Sequence, residues 1–334
     1  FCFSKQLLVI IIIGISFSAN EGNIFYSDSW ALLIGINEYQ HETPLHYAVA
    51  DATAMKRLLS EKLDFPDENI EILLDSAATL QGIKRSMDEL AKKTSKNDRV
   101  LIYFAGHGQT KSLPNGGEEG YLIPVDGENS NLYSTSLPMS DMRKLSEMTP
   151  AQDMLFLIDA CYSGLMGVRS LSLDSNDNMA LKMRAAGNSR TVITAGRKGQ
   201  IAQERPEWGH GAMVKSLLYG LEKGAADNNN DGYITDWELA DHLMDQVTVD
   251  TDGKQTPSMS HYTSEKGMFV FIIDKVDVQI ENEVEDELSE LKKQLKFQQD
   301  QMAKLTELML AQAEQRQKTK KIEKIETQPD LIDA

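Results

Sequence analysis

The chain has 334 residues, of which 41% are hydrophobic, and a formal net charge of −17 at pH 7. A chain of this length buries a large core, with room for one sizeable domain and extensions. The negative charge argues against a nucleic-acid backbone or an anionic membrane surface as a partner, and it favours basic peptides or cations.

The first residues have the order of a signal peptide. Lys5 precedes an apolar run at residues 7–15 that is too short to span a bilayer, and small residues follow the run. Ser16 and Ser18 stand at the two recognition positions for cleavage after Ser18. We therefore expect residues 1–18 to be a signal peptide that exports the protein to a periplasm or out of the cell. The alternative is an uncleaved membrane anchor.

From residue 30 onward the pattern alternates strands and helices. Apolar runs predict six strands, at residues 30–36, 70–74, 99–105, 154–158, 191–195 and 269–273. Helical spacing predicts helices at residues 45–59, 80–94, 139–148, 213–221 and 237–244. Strands this apolar, separated by helices, indicate an α/β fold with a mostly parallel sheet covered on both faces. Ligands of such sheets bind at the carboxyl ends of the strands.

A lone thiol lies where the fourth predicted strand ends. Cys161 stands in the sequence Asp-Ala-Cys-Tyr-Ser-Gly, just after the apolar run at 154–158. The other cysteine, Cys2, lies in the expected signal peptide, so neither an intramolecular disulfide nor a cysteine metal cluster is available. The position suggests a nucleophile at the sheet edge. The alternative is a small buried hydrophobic residue at a strand end.

A histidine follows another strand at the same predicted edge. His107 stands in Gly-His-Gly directly after the strand at 99–105. A catalytic cysteine needs an imidazole nearby, which takes the thiol proton and later returns it to the leaving amine. The ends of parallel strands lie together, so a partnership between His107 and Cys161 is geometrically plausible.

These segments resemble the caspase and metacaspase superfamily, and bacterial caspase-like proteins most closely. The resemblance rests on Tyr-Phe-Ala-Gly-His-Gly at 103–108, Leu-Ile-Asp-Ala-Cys-Tyr-Ser-Gly at 157–164, and the segments 31–39 and 45–51. His107 precedes the cysteine by 54 residues, close to the spacing of about 50 in caspases. The resemblance implies a caspase-like peptidase domain at 28–274, built as a three-layer sandwich around a mostly parallel six-stranded sheet.

The resemblance also implies roles for individual residues. Cys161 would be the nucleophile and His107 the general base and acid, while the backbone amides of Gly108 and Cys161 would form the oxyanion hole. Asp51 and Asp159 match acids that line the pocket for the residue before the scissile bond in metacaspase-like members. Two carboxylates favour a guanidinium or an ammonium group, so we predict cleavage after Arg or Lys. The alternatives are a helix cap or surface acid at Asp51 and a turn-forming carboxylate at Asp159.

A long polar segment at residues 165–189 joins the two halves of this fold. Loops of this length are usually functional or disordered. The basic residues in and beside it are predicted self-cleavage sites or parts of a solvated linker: Arg169, Lys182, Arg184 and Arg190.

Residues 227–238 match the EF-hand calcium loop at every diagnostic position. Gly232 stands at the turn, and the predicted ligands are Asp227, Asn229, Asp231, Tyr233 through its carbonyl, Thr235 and Glu238. Helical patterns flank the loop on both sides. We expect one calcium ion of modest affinity, which locks the second half of the domain. The alternative is an ordinary Asp/Asn-rich turn.

Two other groups of polar residues receive no metal. The separate calcium site of metacaspases is matched only in part, by Glu118, Glu119 and Asp141, with Ser140 in place of a second acid. The remaining histidines show no ligand spacing and are interpreted as structural or surface residues: His41, His46, His210, His242 and His261.

After residue 274 the composition shifts to Glu, Lys, Gln and Leu. Apolar residues recur there in steps of four and three, at Val284, Leu288, Leu291, Leu295, Met302, Leu305 and Met309, with Gln298 and Gln312 completing the series. This seam predicts a homo-oligomeric coiled coil in a tail at 275–334. The alternatives are a helix folded back on the domain and a mobile charged tail.

The sequence therefore predicts an exported, calcium-binding cysteine endopeptidase. Its substrates would be proteins or peptides with Arg or Lys at the cleavage site. The competing hypothesis is a catalytically silent, calcium-binding module that acts as an oligomeric scaffold. Loss of Cys161 or His107 would mark that alternative, and both residues are present.

Overall fold

The computed structural model describes residues 25–160, 187–197, 199–263 and 267–273, together with Lys296. Several predictions concern residues outside these ranges, namely the signal peptide at 1–18, the nucleophile Cys161, the basic residues Arg169, Lys182 and Arg184, and the tail at 275–334. The chain divides into two units, Phe1–Ile273 and Asp274–Ala334. In the described part of the chain, no helix has both the length and the apolar character needed to cross a membrane.

The described strands and helices follow one another as the alternating pattern predicts. The strands are β1 (Ser29–Gly35), β2 (Ile70–Leu74), β3 (Arg99–Ala105), β4 (Gly108–Ser112), β5 (Glu118–Leu122), β6 (Leu137–Pro138), β7 (Asp153–Asp159), β8 (Ser189–Thr194), β9 (Glu204–Arg205), β10 (His210–Gly211), β11 (Tyr233–Thr235), β12 (Ser258–His261) and β13 (Val270–Ile272). The helices are α1 (Ala48–Lys62), α2 (Leu80–Lys93), α3 (Leu132–Thr135), α4 (Met139–Met148), α5 (Ala212–Glu222) and α6 (Asp236–Asp250).

Six of these strands form the central sheet, in the order β12-β8-β7-β3-β1-β2. Neighbouring strands from β2 to β8 run parallel, and β12 runs antiparallel to β8 at one edge. The predicted mostly parallel sheet of six strands is therefore confirmed.

The identity of the sixth strand differs from the prediction. The segment at 269–273 does contain a strand, β13, but it pairs with β11 in a separate two-stranded sheet. The sixth strand of the central sheet is β12, whose sequence Ser-Met-Ser-His has no apolar run and is mostly only half-buried. An edge strand is not covered like a central one, so it lacks the continuous apolar run by which the central strands were recognised.

Helices cover both faces of the central sheet. Alternate residues of β3 point to opposite sides, so Leu101 and Tyr103 join a core with residues of α1, α5 and α6. Ile102 and Phe104 join a second core with residues of α2 and α4. Burial on both sides explains why this strand is apolar throughout. The predicted three-layer sandwich is confirmed.

Arg190, one of the basic residues predicted as self-cleavage sites, is a buried residue of β8. Its guanidinium donates to the carbonyl oxygens of Ser146, Gln152 and Ala151 over 2.9, 2.8 and 2.8 Å. Proteolysis needs an exposed, mobile segment. The prediction that Arg190 is a self-cleavage site is therefore wrong. The alternative, that Arg190 belongs to a solvated linker, is also wrong, because the residue is buried in a strand.

Arg99, at the start of β3, is fully buried. Its guanidinium donates to Ser29 Oγ and to the carbonyls of Val270 and Leu63, over 2.9, 2.7 and 2.6 Å. The group also lies 4.4 Å from the centre of the Phe65 ring. Burial lowers the pKa of Arg99 to about 10. These contacts join the end of α1 and β13 to two strands of the central sheet, β1 and β3.

Candidate active site

Three central strands end level with one another. In the sheet register Ala105, the last residue of β3, lies opposite Gly35 of β1 and Asp159 of β7. The N–H of Gly106 donates to the carbonyl of Asp159 over 3.2 Å. The chain therefore leaves β3 directly beside the end of β7, and His107 follows at that edge.

Helix α1 packs very closely over the end of β1. A Cβ at Gly35 would lie 2.4 Å from the carbonyl oxygen of Ala48, so only glycine fits there. This close approach brings Asp51, in the first turn of α1, to the strand ends that carry His107 and Asp159. The predicted pair of acids is thus brought together beside the predicted base.

The imidazole of His107 is held by the loop between β1 and α1 (residues 36–47). Its Nε2 lies 2.7 Å from the carbonyl oxygen of Thr43. A carbonyl only accepts hydrogen bonds, so Nε2 carries the hydrogen and, in the neutral ring, Nδ1 keeps its lone pair. That tautomer is the one that a general base requires, with Nδ1 as the basic atom.

Tyr39, in the same loop, holds the backbone of His107. The N–H of His107 donates to the Tyr39 hydroxyl over 2.7 Å, and the two ring centroids lie 4.8 Å apart. Burial raises the pKa of Tyr39, so the hydroxyl stays neutral. The loop itself is fixed by Asp75, which accepts hydrogen bonds from the backbone N–H groups of Asn37 and Glu38 over 2.7 and 3.0 Å.

A cavity of about 310 Å³ opens next to His107. Among the described residues that line it, three carry carboxyl groups, and the apolar ones are Leu45, Ala48, Ala105, Ile201 and Ala202. The carboxylates belong to Asp51, Asp159 and Glu204. Among the described residues that line the cavity, none is Lys or Arg.

Two carboxyl groups of this cavity, those of Asp51 and Asp159, have raised pKa values. Burial, followed by the charges of Asp51 and Glu204, raises the pKa of Asp159 well above its usual range. Burial also raises the pKa of Asp51, although hydrogen bonds from His210 and Gly211 oppose the shift. Like charges in a low-dielectric site disfavour one another, and a bound cation would relieve that repulsion. The cavity is therefore suited to a positively charged group.

Glu204, which lines this cavity, and His210, which contacts Asp51 of its lining, were not predicted as site residues from the sequence. Glu204 and His210 lie on β9 and β10, a hairpin in which Gly211 pairs with Glu204. Strands of two residues show no periodicity, so the sequence offered no signal for them. His210, interpreted from the sequence as a structural or surface residue, has its Nδ1 2.6 Å from Oδ1 of Asp51.

Of the other two predicted catalytic residues, Gly108 and Cys161, the structure describes only Gly108. Gly108 is the first residue of β4, immediately after His107. Cys161 follows Asp159 by two residues along the chain and lies outside the described residues. His107, Asp51 and Asp159 are thus assembled around the point where the chain continues to Cys161.

The predicted calcium loop lies between α5 and α6. The carboxylate of Asp227 accepts hydrogen bonds from the N–H groups of Asp231 and Gly232, over 3.1 and 2.9 Å. Glu238 folds back and accepts from the N–H of Thr235 over 3.0 Å, within a capping box that begins α6. Burial raises the pKa of Glu238, and the charges of Asp231 and Asp227 add to the shift. The loop is thus closed by hydrogen bonds from its own backbone to Asp227 and Glu238.

The loop at 227–238 offers both carboxylate oxygens and amide or backbone carbonyl oxygens to a metal ion. Among the described residues, no three His, Cys, Asp or Glu side chains form a metal-binding group by themselves. An EF-hand also draws on amide and backbone carbonyl oxygens, which Asn229 and Tyr233 supply here. At the partial metacaspase site, Asp141 instead pairs with Lys84 and Lys144 over 3.2 and 3.0 Å.

A parallel sheet with a histidine and an acidic cavity at one edge agrees with what the chain resembles in sequence. Residues 28–269, well over half of the chain, match the sequence model of the caspase domain. The chain belongs to the caspase domain family.

Relatives within this family include metacaspases. Metacaspase-1B of Aspergillus oryzae is 32% identical over 148 residues, which cover 40% of this chain and 34% of that protein. Metacaspase-6 of Arabidopsis thaliana is 27% identical over 170 residues, which cover 48% of this chain and 45% of that protein. The chain thus spans less than half the length of either relative.

A solved structure supports the fold. A crystal structure of a Geobacter sulfurreducens protein matches 70% of this chain and 93% of its own, with a TM-score of 0.50 at 17% sequence identity. At this identity the likeness concerns the fold alone.

Proposed function

We propose that this chain is a cysteine endopeptidase that cleaves after Arg or Lys. The observation that carries the proposal is the state of His107. The Thr43 carbonyl fixes its Nε2–H and leaves Nδ1 as a base, beside a cavity lined by three carboxylates. Membership of the caspase domain family supports the reaction class.

In the proposed reaction, Nδ1 of His107 takes the proton of the Cys161 thiol, and the thiolate attacks the scissile carbonyl carbon. The resulting oxyanion accepts hydrogen bonds from the backbone N–H groups of Gly108 and Cys161. His107 then returns the proton to the leaving amine as the C–N bond breaks. In the second half-reaction His107 deprotonates a water molecule, which attacks the thioester and releases Cys161.

The side chain before the scissile bond would enter the acidic cavity. Asp51, Asp159 and Glu204 offer carboxylate oxygens to an ammonium or a guanidinium group, and apolar residues such as Leu45 and Ile201 pack against its aliphatic stem. A negatively charged side chain would meet three acidic residues there and, among the described lining residues, no Lys or Arg. Basic residues are therefore the substrate class that this cavity favours.

Fluorogenic peptides test the proposal. The full chain should hydrolyse peptides ending in Arg or Lys, with and without added calcium, and should leave a matched Asp peptide intact. Cys161→Ala and His107→Ala should each abolish hydrolysis while leaving the thermal unfolding transition in place. Hydrolysis that persists in Cys161→Ala, or its absence from the unsubstituted chain, would favour the silent scaffold.

We also propose that residues 227–238 bind one calcium ion. Support comes from the sequence match at each ligand position and from the turn geometry, in which Asp227 and Glu238 both accept hydrogen bonds from the backbone of the loop. Residues Tyr233–Thr235 of the loop pair with β13, which gives the loop the strand partner that it needs to keep its shape. Calcium would lower the repulsion among Asp227, Asp231 and Glu238 and so stabilise the start of α6.

Calorimetry on the full chain measures this binding without any need for activity. One ion should bind per chain, and calcium should raise the midpoint of thermal unfolding. Glu238→Gln should weaken calcium binding at least tenfold, because it removes the bidentate ligand, whereas Glu207→Gln on the exposed hairpin should not. Equal calcium affinity in the two variants would show that the loop is an ordinary turn.

Export through residues 1–18 and assembly through the tail at 275–334 stay predictions from the sequence. Cell fractionation and N-terminal sequencing of the mature protein test the first. Light scattering of the full chain beside a chain ending at Ile273 tests the second, since only the full chain should form oligomers.

A further inference from the structure

The β9–β10 hairpin places a histidine against a carboxylate of the acidic cavity. Nδ1 of His210 lies 2.6 Å from Oδ1 of Asp51, and the N–H of Gly211 donates to Oδ2 of the same carboxylate over 3.1 Å. The side chain of His210 is 26% exposed, whereas that of Asp51 is 2% exposed. A proton can therefore reach the ring from solvent, while the carboxylate that the ring contacts faces the cavity.

We infer that His210 is a specificity-determining residue that makes the binding of a basic side chain depend on protonation. Neutral His210 donates from Nδ1 and holds the Asp51 carboxylate in place as an anion. Protonated His210 balances the charge of Asp51 and competes with an incoming cation for it. The inference rests on the proposed function, because it concerns the pocket for the Arg or Lys side chain.

Each element packed against β10 contributes charged groups to this region. They are Asp51 from α1, Glu204 and Arg205 from β9, and Lys215 from α5. Lys215 already pairs with Asp250 over 2.6 Å, and Arg205 lies 4.5 Å from the centre of the Trp208 ring. Asp159, at the end of β7, completes the acidic group.

Acidification therefore acts on the cavity in two ways. Histidine is the side chain whose charge ordinarily changes between about pH 5 and pH 8. Burial also raises the pKa values of Asp51 and Asp159, so these carboxylates lose charge on acidification as well. Replacing the His210 ring by a group that cannot be protonated removes the contribution of His210 to the pH dependence of cation binding. The contribution of the two carboxyl groups remains.

The test measures binding without turnover. The full chain carrying Cys161→Ala is titrated by calorimetry with agmatine, a guanidinium that mimics the arginine side chain, at about pH 5.5 and about pH 8. A second protein carries His210→Asn as well, which keeps an N–H donor near the position of Nδ1 but cannot be protonated. His210→Gln serves the same purpose if the Asn variant fails to fold.

At about pH 8 the two proteins should bind agmatine with Kd values within about twofold of each other. At about pH 5.5 the His210→Asn protein should bind about tenfold more tightly, the change that one pKa unit of interaction produces. His261→Asn, which changes a histidine of the edge strand β12 outside the cavity lining, should leave the affinity of the Cys161→Ala protein unchanged at both pH values. Two results would overturn the inference. One is an equal Kd for agmatine at the lower pH in the proteins with and without His210→Asn. The other is an equal loss of agmatine affinity at both pH values in the His210→Asn protein.

Hydrolysis of an Arg peptide by the unsubstituted chain is measured in parallel. Agmatine binding with the expected pH pattern, but without peptide hydrolysis, would support the role of His210 and reject the peptidase. Hydrolysis of the Arg peptide without a difference between parent and variant would reject the role of His210 alone. A parent that binds no agmatine at either pH would reject the cationic pocket and the inference together.

Discussion

The hydroxyl of Tyr39 accepts the backbone N–H of His107 over 2.7 Å, and the two rings lie against each other. Thr43, four residues further along the same loop, fixes Nε2 of the imidazole. The orientation of the proposed base is thus set by one short loop, residues 36–47, which lies far before His107 in the sequence.

Tyr39→Phe should lower kcat for an Arg peptide about fivefold and leave KM almost unchanged. The substitution keeps the ring but removes the acceptor of the His107 N–H, a loss of about 1 kcal/mol at the position of the base. Steady-state kinetics measure the effect. Tyr133→Phe, at a tyrosine that is 87% exposed, is the matched control. A rise in KM at constant kcat would assign Tyr39 to substrate binding instead.

Glu204→Gln should raise KM for Arg and Lys peptides about tenfold while changing kcat less. The amide removes one of the three carboxyl groups of the cavity but keeps the shape of the side chain. Glu207→Gln, on the exposed part of the same hairpin, makes the same change of charge and should have little effect. If both variants behave alike, Glu204 acts only through the net charge of the protein.

Arg99→Met should destabilise the domain by about 3–5 kcal/mol, because it leaves the carbonyls of Leu63 and Val270 buried without a donor. Arg99→Lys should recover only part of this loss, since an ammonium group cannot reproduce the fork of the guanidinium. Urea unfolding gives both values. Arg85→Met, at an exposed position of α2, should stay within about 0.5 kcal/mol of the unsubstituted protein.

Asp153 should make stability depend on pH. Burial raises its pKa to about 7, although hydrogen bonds from Tyr26 and Ser189 oppose the shift. Because the folded state holds this proton more tightly than the unfolded chain, the contribution to stability is fully present below about pH 4 and is lost as the pH rises through about 7.

Urea unfolding at about pH 5 and about pH 8, with Asp153→Asn as the comparison, isolates this effect. The amide mimics the protonated carboxyl, so the variant should gain stability relative to the unsubstituted protein at the higher pH. Asp67→Asn, an exposed aspartate, should show no such gain. A stability difference that is constant with pH would mean that Asp153 titrates alike in both states.

The sequence predicts the parts of this fold that are recorded in local patterns. The strands that end at Ala105 and Asp159 are buried on both faces, and their apolar runs locate them. The ligand positions of the loop at 227–238 are likewise local in the sequence. The strand at 258–261 escapes this approach because it is a polar edge strand.

The candidate active site also contains residues that the sequence predicts and residues that it does not. Asp51 and Asp159 are read from the family resemblance, and the structure places both in one cavity. The support of His107 by the carbonyl of Thr43 has no sequence signal, because any residue supplies a carbonyl. Glu204 at the cavity and His210 beside Asp51 lie on a hairpin whose strands have only two residues each, so tertiary contacts and not local periodicity define it.

The loop at 36–47 has a second contact with the site, through its other end. Leu45 lines the acidic cavity, and the N–H of His46 donates to the carboxylate of Glu204 over 3.4 Å. The segment that aims the proposed base therefore also forms part of the wall that receives the substrate side chain. A change in this loop that retunes the preferred substrate will also alter the rate of the chemical step, so evolution cannot adjust one property independently of the other here.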